Sequence, residues 1–478
     1  MKRSTIAGAV VILLPLILSS HSVFASGLFD QDPDWVYKLS ASWWCNLISA
    51  NFNTDSIPDM VLGDLSKDQI QTFIGNGDGS FDLFQSIPLT NPIWLETSDV
   101  DLDGDQDVVV MRENSLSIYT LLNDGIGNLS TPITSNIDAG GENFVVALFD
   151  ADTLPDIVLG NGPGNVYYSH GNGDGTFEEA EKIYEEICGA CALDIADLDS
   201  DGDLDIVLLA WERLSVLFND GDGTVTWGGY YGYYSGPGIP GGHITLAHLD
   251  NDEFLDVALT AGEGMGSNTV WTFLGNGDGS FDITGSGWIG GCAFNHVISV
   301  DFDLDGYNDA FFCGSEGLLI TMLNSGNGLL IDDPLEFVIG AIPSSRQGAV
   351  ADFDNDGDFD FAYVSGNVPN FYIHVHLNKL NPQGIEGSEE TVNSIGLFAS
   401  PSPFSSSLGI TYSLPESGHV ELSIYDLSGR CMGLVESCWK TAGTHTTTWT
   451  PEESIPEGCY IVVLNTSEDR IVRRCVKL

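Results

Sequence analysis

One nine-residue pattern, with Asp at positions 1, 3, 5 and 9 and Gly at position 6, occurs four times in this chain. The copies are Asp99 to Asp107, Asp197 to Asp205, Asp301 to Asp309 and Asp352 to Asp360. Oxygen ligands at alternate positions, around a residue that lets the backbone turn sharply, are what a hard cation such as Ca²⁺ requires. A single copy reads equally well as a solvated turn. Four copies do not, because each packs four carboxylates into nine residues and these repel one another unless a cation lies between them.

The pattern also has a period. Weaker copies run from Asn51 to Asp59, Leu148 to Asp156 and His248 to Asp256, so the closing aspartates are Asp59, Asp107, Asp156, Asp205, Asp256, Asp309 and Asp360. Gly-rich turns alternate with these loops, at Asn76–Gly79, Asn123–Gly127, Asn172–Gly175, Asp220–Gly223, Asn276–Gly279 and Ser325–Gly328. Asn and Gly tolerate positive φ, so these read as hairpin turns. Their GxG spacing is not a nucleotide loop, since no helical pattern follows. Short apolar strands fill the gaps, such as Asp107-Val-Val-Val110 and Leu116 to Leu122. Four strands in about fifty residues, without a helix, predict one propeller blade, and seven loops predict seven blades. A row of unclosed sheets would leave edges exposed. The segment Leu28 to Ser40 reads as an unpartnered fourth strand, expected to complete the last blade.

The unit D-x-D-x-D-G-x-x-D, apolar run, G-N-G-D-G-x-F resembles the FG-GAP/VCBS repeats that build the integrin α-subunit propeller. The resemblance covers residues 28–380. It implies Ca²⁺ held between the first and second strands of a blade. The implied ligands are Asp99, Asp101, Asp103 and Asp107; Asp197, Asp199, Asp201 and Asp205; Asp301, Asp303, Asp305 and Asp309; and Asp352, Asp354, Asp356 and Asp360. Position seven (Asp105, Asp203, Tyr307, Asp358) offers its backbone carbonyl. The degenerate loops supply a weaker set: Asn51, Asn53, Asp55 and Asp59; Asp150, Asp152 and Asp156; and Asp250, Asp252 and Asp256. All three lack the Gly.

With 15 Lys plus Arg against 69 Asp plus Glu, the net charge is −54. Such a surface repels nucleic acid and anionic lipid, so neither is expected as a partner. Residues 1–25 read as a secretory signal, with Lys2 and Arg3, an apolar run from Ile6 to Leu18, and Val23-Phe-Ala25 before the cut. That run is too short to span a bilayer. The mature chain is expected to be exported, not membrane-spanning, and monomeric. Nine Cys suit an oxidising compartment. Cys459 and Cys475 are placed to face each other across a hairpin, and Cys188-Gly-Ala-Cys191 to close a tight loop or form a redox pair.

A polar linker spans 381–394, and the composition then changes. Ser400-Pro-Ser-Pro-Phe404, Ile410 to Pro415, Val420 to Arg430 and Gly458 to Val463 suggest a small Ig-like β-sandwich. Residues 395–478 are similar to the type A sorting domain of type IX secretion. That implies the type IX machinery as a partner and a secreted or cell-surface location in a Gram-negative bacterium. The alternative is an ordinary Ig-like binding module. The fold class expected is therefore all-β, with a seven-bladed propeller over residues 26–380 followed by that sandwich.

There is no GxSxG, HExxH or GxxxxGK[ST]. His374-Val-His376 puts two imidazoles on one strand face, where half-exposed positions are the plain reading. The spacing of the Gly turns lengthens at Trp227 to Gly242, which carries Trp227, Tyr230, Tyr231, Tyr233 and Tyr234. This stretch, on a connection between blades, suits recognition of a surface protein or glycan; a longer strand and slack loop is the alternative. The expected role is adhesion or ligand binding, with a carbohydrate-active enzyme or lectin-like module as the rival. An enzyme should place an uncommitted acid or base at the ring axis, and a binder an exposed aromatic patch near 227–242.

Overall fold

The structure, a computed structural model, describes residues 28–379 and 396–477 apart from short stretches, 233–241 among them. Every regular element in it is a β-strand. Residues 45–88, 92–136, 143–185, 190–232, 244–288 and 294–338 each form a four-stranded antiparallel sheet whose strands pair in chain order. A seventh sheet uses Ala349–Ala351, Asp360–Asn367 and Asn370–His376. Its fourth strand is Trp35–Leu39, with Trp35 opposite Val375 and Leu39 opposite Phe371. The expected completion of the last sheet by the chain's early residues is thus observed. Phe29 bridges Asn378, and Lys379 N–H donates to Leu28 O at 2.6 Å, extending the join.

The second strands are buried on both faces, which explains their unbroken apolar runs. Val61 of the first sheet packs against Leu95, Val108 and Val110 of the second, while its neighbours Met60 and Leu62 pack against Ala362, Val364 and Ile373 of the seventh. Alternation along a strand therefore divides one apolar run between two interfaces. The same division joins the second sheet to the third, and so on to Phe311 and Phe361, whose rings lie 4.6 Å apart between the sixth and seventh. Packing order returns to its start.

Hydrogen bonds repeat this order. The carbonyl of the second residue in an Asp loop accepts a bond from the next sheet. Asn123 Nδ2 donates to Phe52 O, Asn219 Nδ2 to Phe149 O, and Asn378 Nδ2 to Phe302 O. Gly279 N–H donates to Leu198 O, Gly328 N–H to Leu249 O and Gly79 N–H to Phe353 O, the last joining the seventh sheet to the first.

Two further sheets follow. Gly396–Ser400, Leu408–Leu414 and Gly443–Trp449 form one; Cys431–Lys440, Gly418–Asp426, Gly458–Asn465 and Arg470–Lys477 form the other. Ile410 and Tyr412 of the first meet Leu422, Ile424 and Val462 of the second in one buried cluster. The register pairs Cys459 with Val476 and Tyr460 with Cys475. The two cysteines are one residue out of step, which corrects the expectation that they face each other. The Cys188 loop lies outside the described residues.

Candidate metal centres

Each Asp loop joins the first strand of a sheet to the second, and its closing Asp begins that second strand. All seven closing aspartates are buried, and each spreads its carboxylate between two backbone N–H groups. In the second sheet, Asp107 Oδ2 accepts from Val100 N–H at 3.0 Å and Oδ1 from Asn123 N–H at 2.8 Å. The equivalent pairs are Phe52 and Gly75 on Asp59, Phe149 and Gly171 on Asp156, and Leu198 and Asn219 on Asp205. Leu249 and Gly275 serve Asp256, Phe302 and Asn324 serve Asp309, and Phe353 and Asn378 serve Asp360. These residues therefore fix the loop to the end of the third strand, a bracing role that the repeat pattern alone does not reveal.

Burial pushes these carboxyls up, with the two backbone donors opposing it. Asp59, Asp205 and Asp256 rise to about 6, Asp107 to about 7, Asp309 to about 8 and Asp360 to about 9. A nearby divalent cation would reverse that direction.

In the complete loops, position 1 ties the turn. Asp99 accepts from Asp103 N–H and Gly104 N–H, both at 3.0 Å, and Asp301 and Asp352 do the same for their loops. Gly104 sits at φ 97°, Gly202 at 100°, Gly306 at 101° and Gly357 at 99°. That backbone is nearly closed to other residues, which is why the Gly is part of the pattern. Carboxylate oxygens of positions 1, 3 and 9 converge within 4.8 Å in Asp99–Asp101–Asp107, Asp197–Asp199–Asp205 and Asp301–Asp303–Asp309, and those of positions 3, 5 and 9 do so in a degenerate loop, at Asp250, Asp252 and Asp256. The position-5 carboxylate accepts an N–H from position 7 in all four complete loops, Asp103 from Asp105, Asp201 from Asp203, Asp305 from Tyr307 and Asp356 from Asp358, and Asp55, Asp152 and Asp252 do the same in the degenerate ones.

Position 7 turns its side chain to the Gly turn of its own sheet. A Cβ on Gly125 would stand 2.5 Å from Asp105 Oδ2, one on Gly221 2.5 Å from Asp203 Oδ2, and one on Gly326 2.4 Å from Tyr307 Cζ. Loops and Gly turns therefore lie at the same end of the sheets. In the first loop Asn51 Nδ2 donates to Asp55 O and Asn53 Oδ1 accepts from Asp55 N–H, so both side chains serve the turn.

The donor set fits a hard cation. It is all oxygen, it converges, and in the seventh loop Asp354 Oδ1 is buried with no hydrogen-bond partner among the described residues. Such an oxygen is costly unless something positive faces it. Asp352, Asp354, Asp356, Asp358 and Asp360 share this loop, and burial and their mutual repulsion raise Asp356 to about 8. The aspartate clusters are thus able to hold metal ions.

A second polar group was not expected from the sequence. The first strands of neighbouring sheets pack side by side and form the inner wall of the ring. Trp94 of the second sheet stacks at 5.5 Å on His243, the residue just before the first strand of the fifth, and His243 lies 4.4 Å from His296 of the sixth. Sheets that are not neighbours touch here, so these rings meet across the middle. Trp94 Nε1 donates to Glu96 at 2.9 Å, and Asp194 of the fourth sheet accepts from Leu246 N–H at 2.9 Å. Burial, and secondarily Asp194, push Glu96 up to about 8; burial raises Asp194 to about 6 and lowers His243 to about 4. No local motif marks these residues; only closure of the ring brings them together.

As far as Gly232 the aromatic segment is a longer strand, the alternative of the two readings. Val225–Gly232 forms the outer edge of the fourth sheet. Trp227 and Tyr230 are more than half exposed, their rings 6.3 Å apart, with the Arg213 guanidinium 5.2 Å from the Tyr230 ring. Tyr231 instead packs edge-on against Phe281 in the core, because it alternates to the other face. Tyr233 and Tyr234 lie outside the described residues. His374 and His376 both stack on Tyr363, at 5.0 and 5.7 Å. His376 is buried in the core, whereas His374 is half-buried, so only His376 departs from the half-exposed position expected.

A family model of the FG-GAP-like repeat matches residues 149–208 and 197–259. Among solved structures, the chain is similar to an Agrocybe aegerita lectin described as recognising non-reducing terminal N-acetylglucosamine, at 20% identity and TM-score 0.46, covering 62% of this chain and 81% of that one. It is also similar to the V. cholerae biofilm matrix protein Bap1, at 12% identity and TM-score 0.34, covering 94% of this chain and 70% of the other. No curated protein matches it.

Proposed function

We propose that this chain is an exported, seven-bladed β-propeller, rigidified by Ca²⁺ and acting in adhesion or ligand binding at a bacterial surface, with an Ig-like sorting domain at its C-terminal end. The observation that carries the reading is the repeated convergence of positions 1, 3 and 9, three carboxylates with little else to neutralise them. The complete loops would hold the ion through those side chains and the carbonyl of position 7. The ion would supply charge neutralisation, fixing each loop against the adjoining sheet. Ca²⁺ is favoured over Mg²⁺ because the sites are rich in carboxylates and set in a turn.

For ligand binding, the support is Trp227 and Tyr230. Two exposed rings beside a guanidinium present flat apolar faces with polar edges, which suits a glycan or a protein surface. The test is a glycan and protein array probed with the mature full chain in Ca²⁺, beside Trp227→Ala and Tyr230→Ala. A hit lost in both variants, with melting temperature unchanged, supports the reading; retention of every hit removes those residues from it.

One observation favours the enzyme reading. Glu96 is a half-buried acid on the inner wall of the ring, its carboxyl raised to about 8 by desolvation and, secondarily, by Asp194. A carboxyl kept neutral beside a second carboxylate is a general-acid arrangement. Polysaccharide cleavage by the parent and not by Glu96→Gln would establish it; a panel left intact by both would leave only binding.

A further inference from the structure

The third Asp loop departs from the others in a concerted way. It has Leu148 at position 1, 51% exposed, and Thr153 where the complete loops have Gly. It has lost two features that suit Ca²⁺ and gained a nitrogen. The residue before the donor to the closing Asp is apolar in the first, second, fourth, fifth and seventh sheets: Ile74, Leu122, Phe218, Leu274 and Leu377. Each of these fills the space beside the second Gly of the next sheet's turn, leaving 2.1 to 2.9 Å for an added Cβ. In the third sheet that residue is His170, and the packing role has moved to Tyr168, whose ring stands 2.7 Å from a Cβ placed on Gly223. The imidazole thus has no packing duty at the next sheet's turn; its ring lies 5.0 Å from that of Tyr168, with Nδ1 3.1 Å from the Tyr168 hydroxyl.

Its Nδ1 is 3.1 Å from Asp150 Oδ2 and 3.7 Å from Asp156 Oδ1, and the three donor atoms lie within 4.8 Å of one another. Donors about 2.0–2.1 Å from a tetrahedral ion are separated by about 3.3 Å, inside that observed range. Imidazole nitrogen is a ligand for borderline metals and a poor one for Ca²⁺. Two carboxylates and a neutral imidazole balance one divalent charge. His170 is 46% exposed, which leaves a side open for water as a fourth ligand. Tyr168 OH donates to Asp150 Oδ2 at 2.7 Å and orients that carboxylate.

We propose that Asp150, Asp156 and His170 form a site for a borderline divalent metal of the Zn²⁺ class, distinct in kind from the oxygen-only loops. It rests on the metal-loop reading for its setting but not on Ca²⁺ at the complete loops, whose stoichiometry is measured separately.

The experiment is calorimetric titration of Zn²⁺ into the Ca²⁺-saturated full chain, beside His170→Leu and Tyr168→Phe. Leucine is what the second, fifth and seventh sheets carry at that position, so the variant should fold, and an unchanged melt in Ca²⁺ verifies this. The expected result is one Zn²⁺ equivalent that His170→Leu abolishes, while bound Ca²⁺ stays the same. Tyr168→Phe keeps the ring on Gly223 and should weaken Zn²⁺ about 10- to 100-fold. Co²⁺ in place of Zn²⁺ should give visible absorption that His170→Leu removes. Zn²⁺ uptake equal in parent and His170→Leu, or none in the parent, overturns the site and leaves His170 as an ion-pair partner of Asp150.

Discussion

Replacing Glu96 by Gln should stabilise the protein, and the gain should grow with pH. Glu96 stands on the inner wall with Trp94 Nε1 donating to it, Asp194 repelling its charge and no cationic partner among the described residues. Its carboxyl is raised from 4.5 to about 8, mainly by burial. A carboxyl raised in the folded state is harmless below its unfolded value. Above that value the unfolded chain ionises more readily, so stability is lost as pH climbs from 4.5 to 8. At 1.36 kcal/mol per unit, the loss is about 2 kcal/mol at pH 6 and about 4 kcal/mol at pH 8. Gln keeps an oxygen for Trp94 and carries no charge, so the variant escapes the loss. Melting of parent and variant in saturating Ca²⁺, from pH 4.5 to 8.5, gives the difference directly. The loop aspartates titrate in both and cancel. Near-identical melts at pH 4.5 that diverge by a few degrees at pH 8 are expected. A difference that is flat with pH, or that favours the parent, refutes the argument that burial of this charge is the dominant cost.

The other predictions concern the ring and its ions. Chelation of Ca²⁺ should lower the melting temperature by several degrees, since an ion bound only by the folded state stabilises it; an unchanged melt would mean the aspartate clusters bind no structural ion. Asn378→Ala removes the bond to Phe302 O at the join and should cost about 1–3 kcal/mol in chemical denaturation, because a buried carbonyl loses its donor. Deleting Trp35–Leu39 uncovers the edge of Asn370–His376 and should produce association visible by light scattering; a monodisperse monomer would contradict the closing role of that strand. Deletion of residues 395–478 should leave the remaining chain inside the cell envelope; normal delivery to the surface would remove the sorting reading.

The sequence by itself determined the repeat, and through it the strands. Asp and Gly at fixed spacing mark each loop, because the chemistry of a tight acidic turn is local and needs no distant residue. The strand from Trp35 to Leu39 was legible for the same reason: a unit with one strand missing at the end and one spare at the start has a single economical pairing. What lay beyond reach was everything that depends on which sheet stands beside which. The bracing role of Asp107, beside the ligand role proposed for it, requires Asn123 N–H, sixteen residues on and one strand over. The move of the packing role from the His170 position to Tyr168 requires Gly223 of the next sheet. Glu96, Trp94, His243 and His296 come from three sheets and meet only because the ring closes. Local residues leave the aromatic stretch open between a connection joining blades and a longer strand; pairing with Arg213–Asn219 decides for an edge strand as far as Gly232. Local spacing encodes local turns, and the chemistry at the middle of the molecule is set by packing between residues that no short pattern connects.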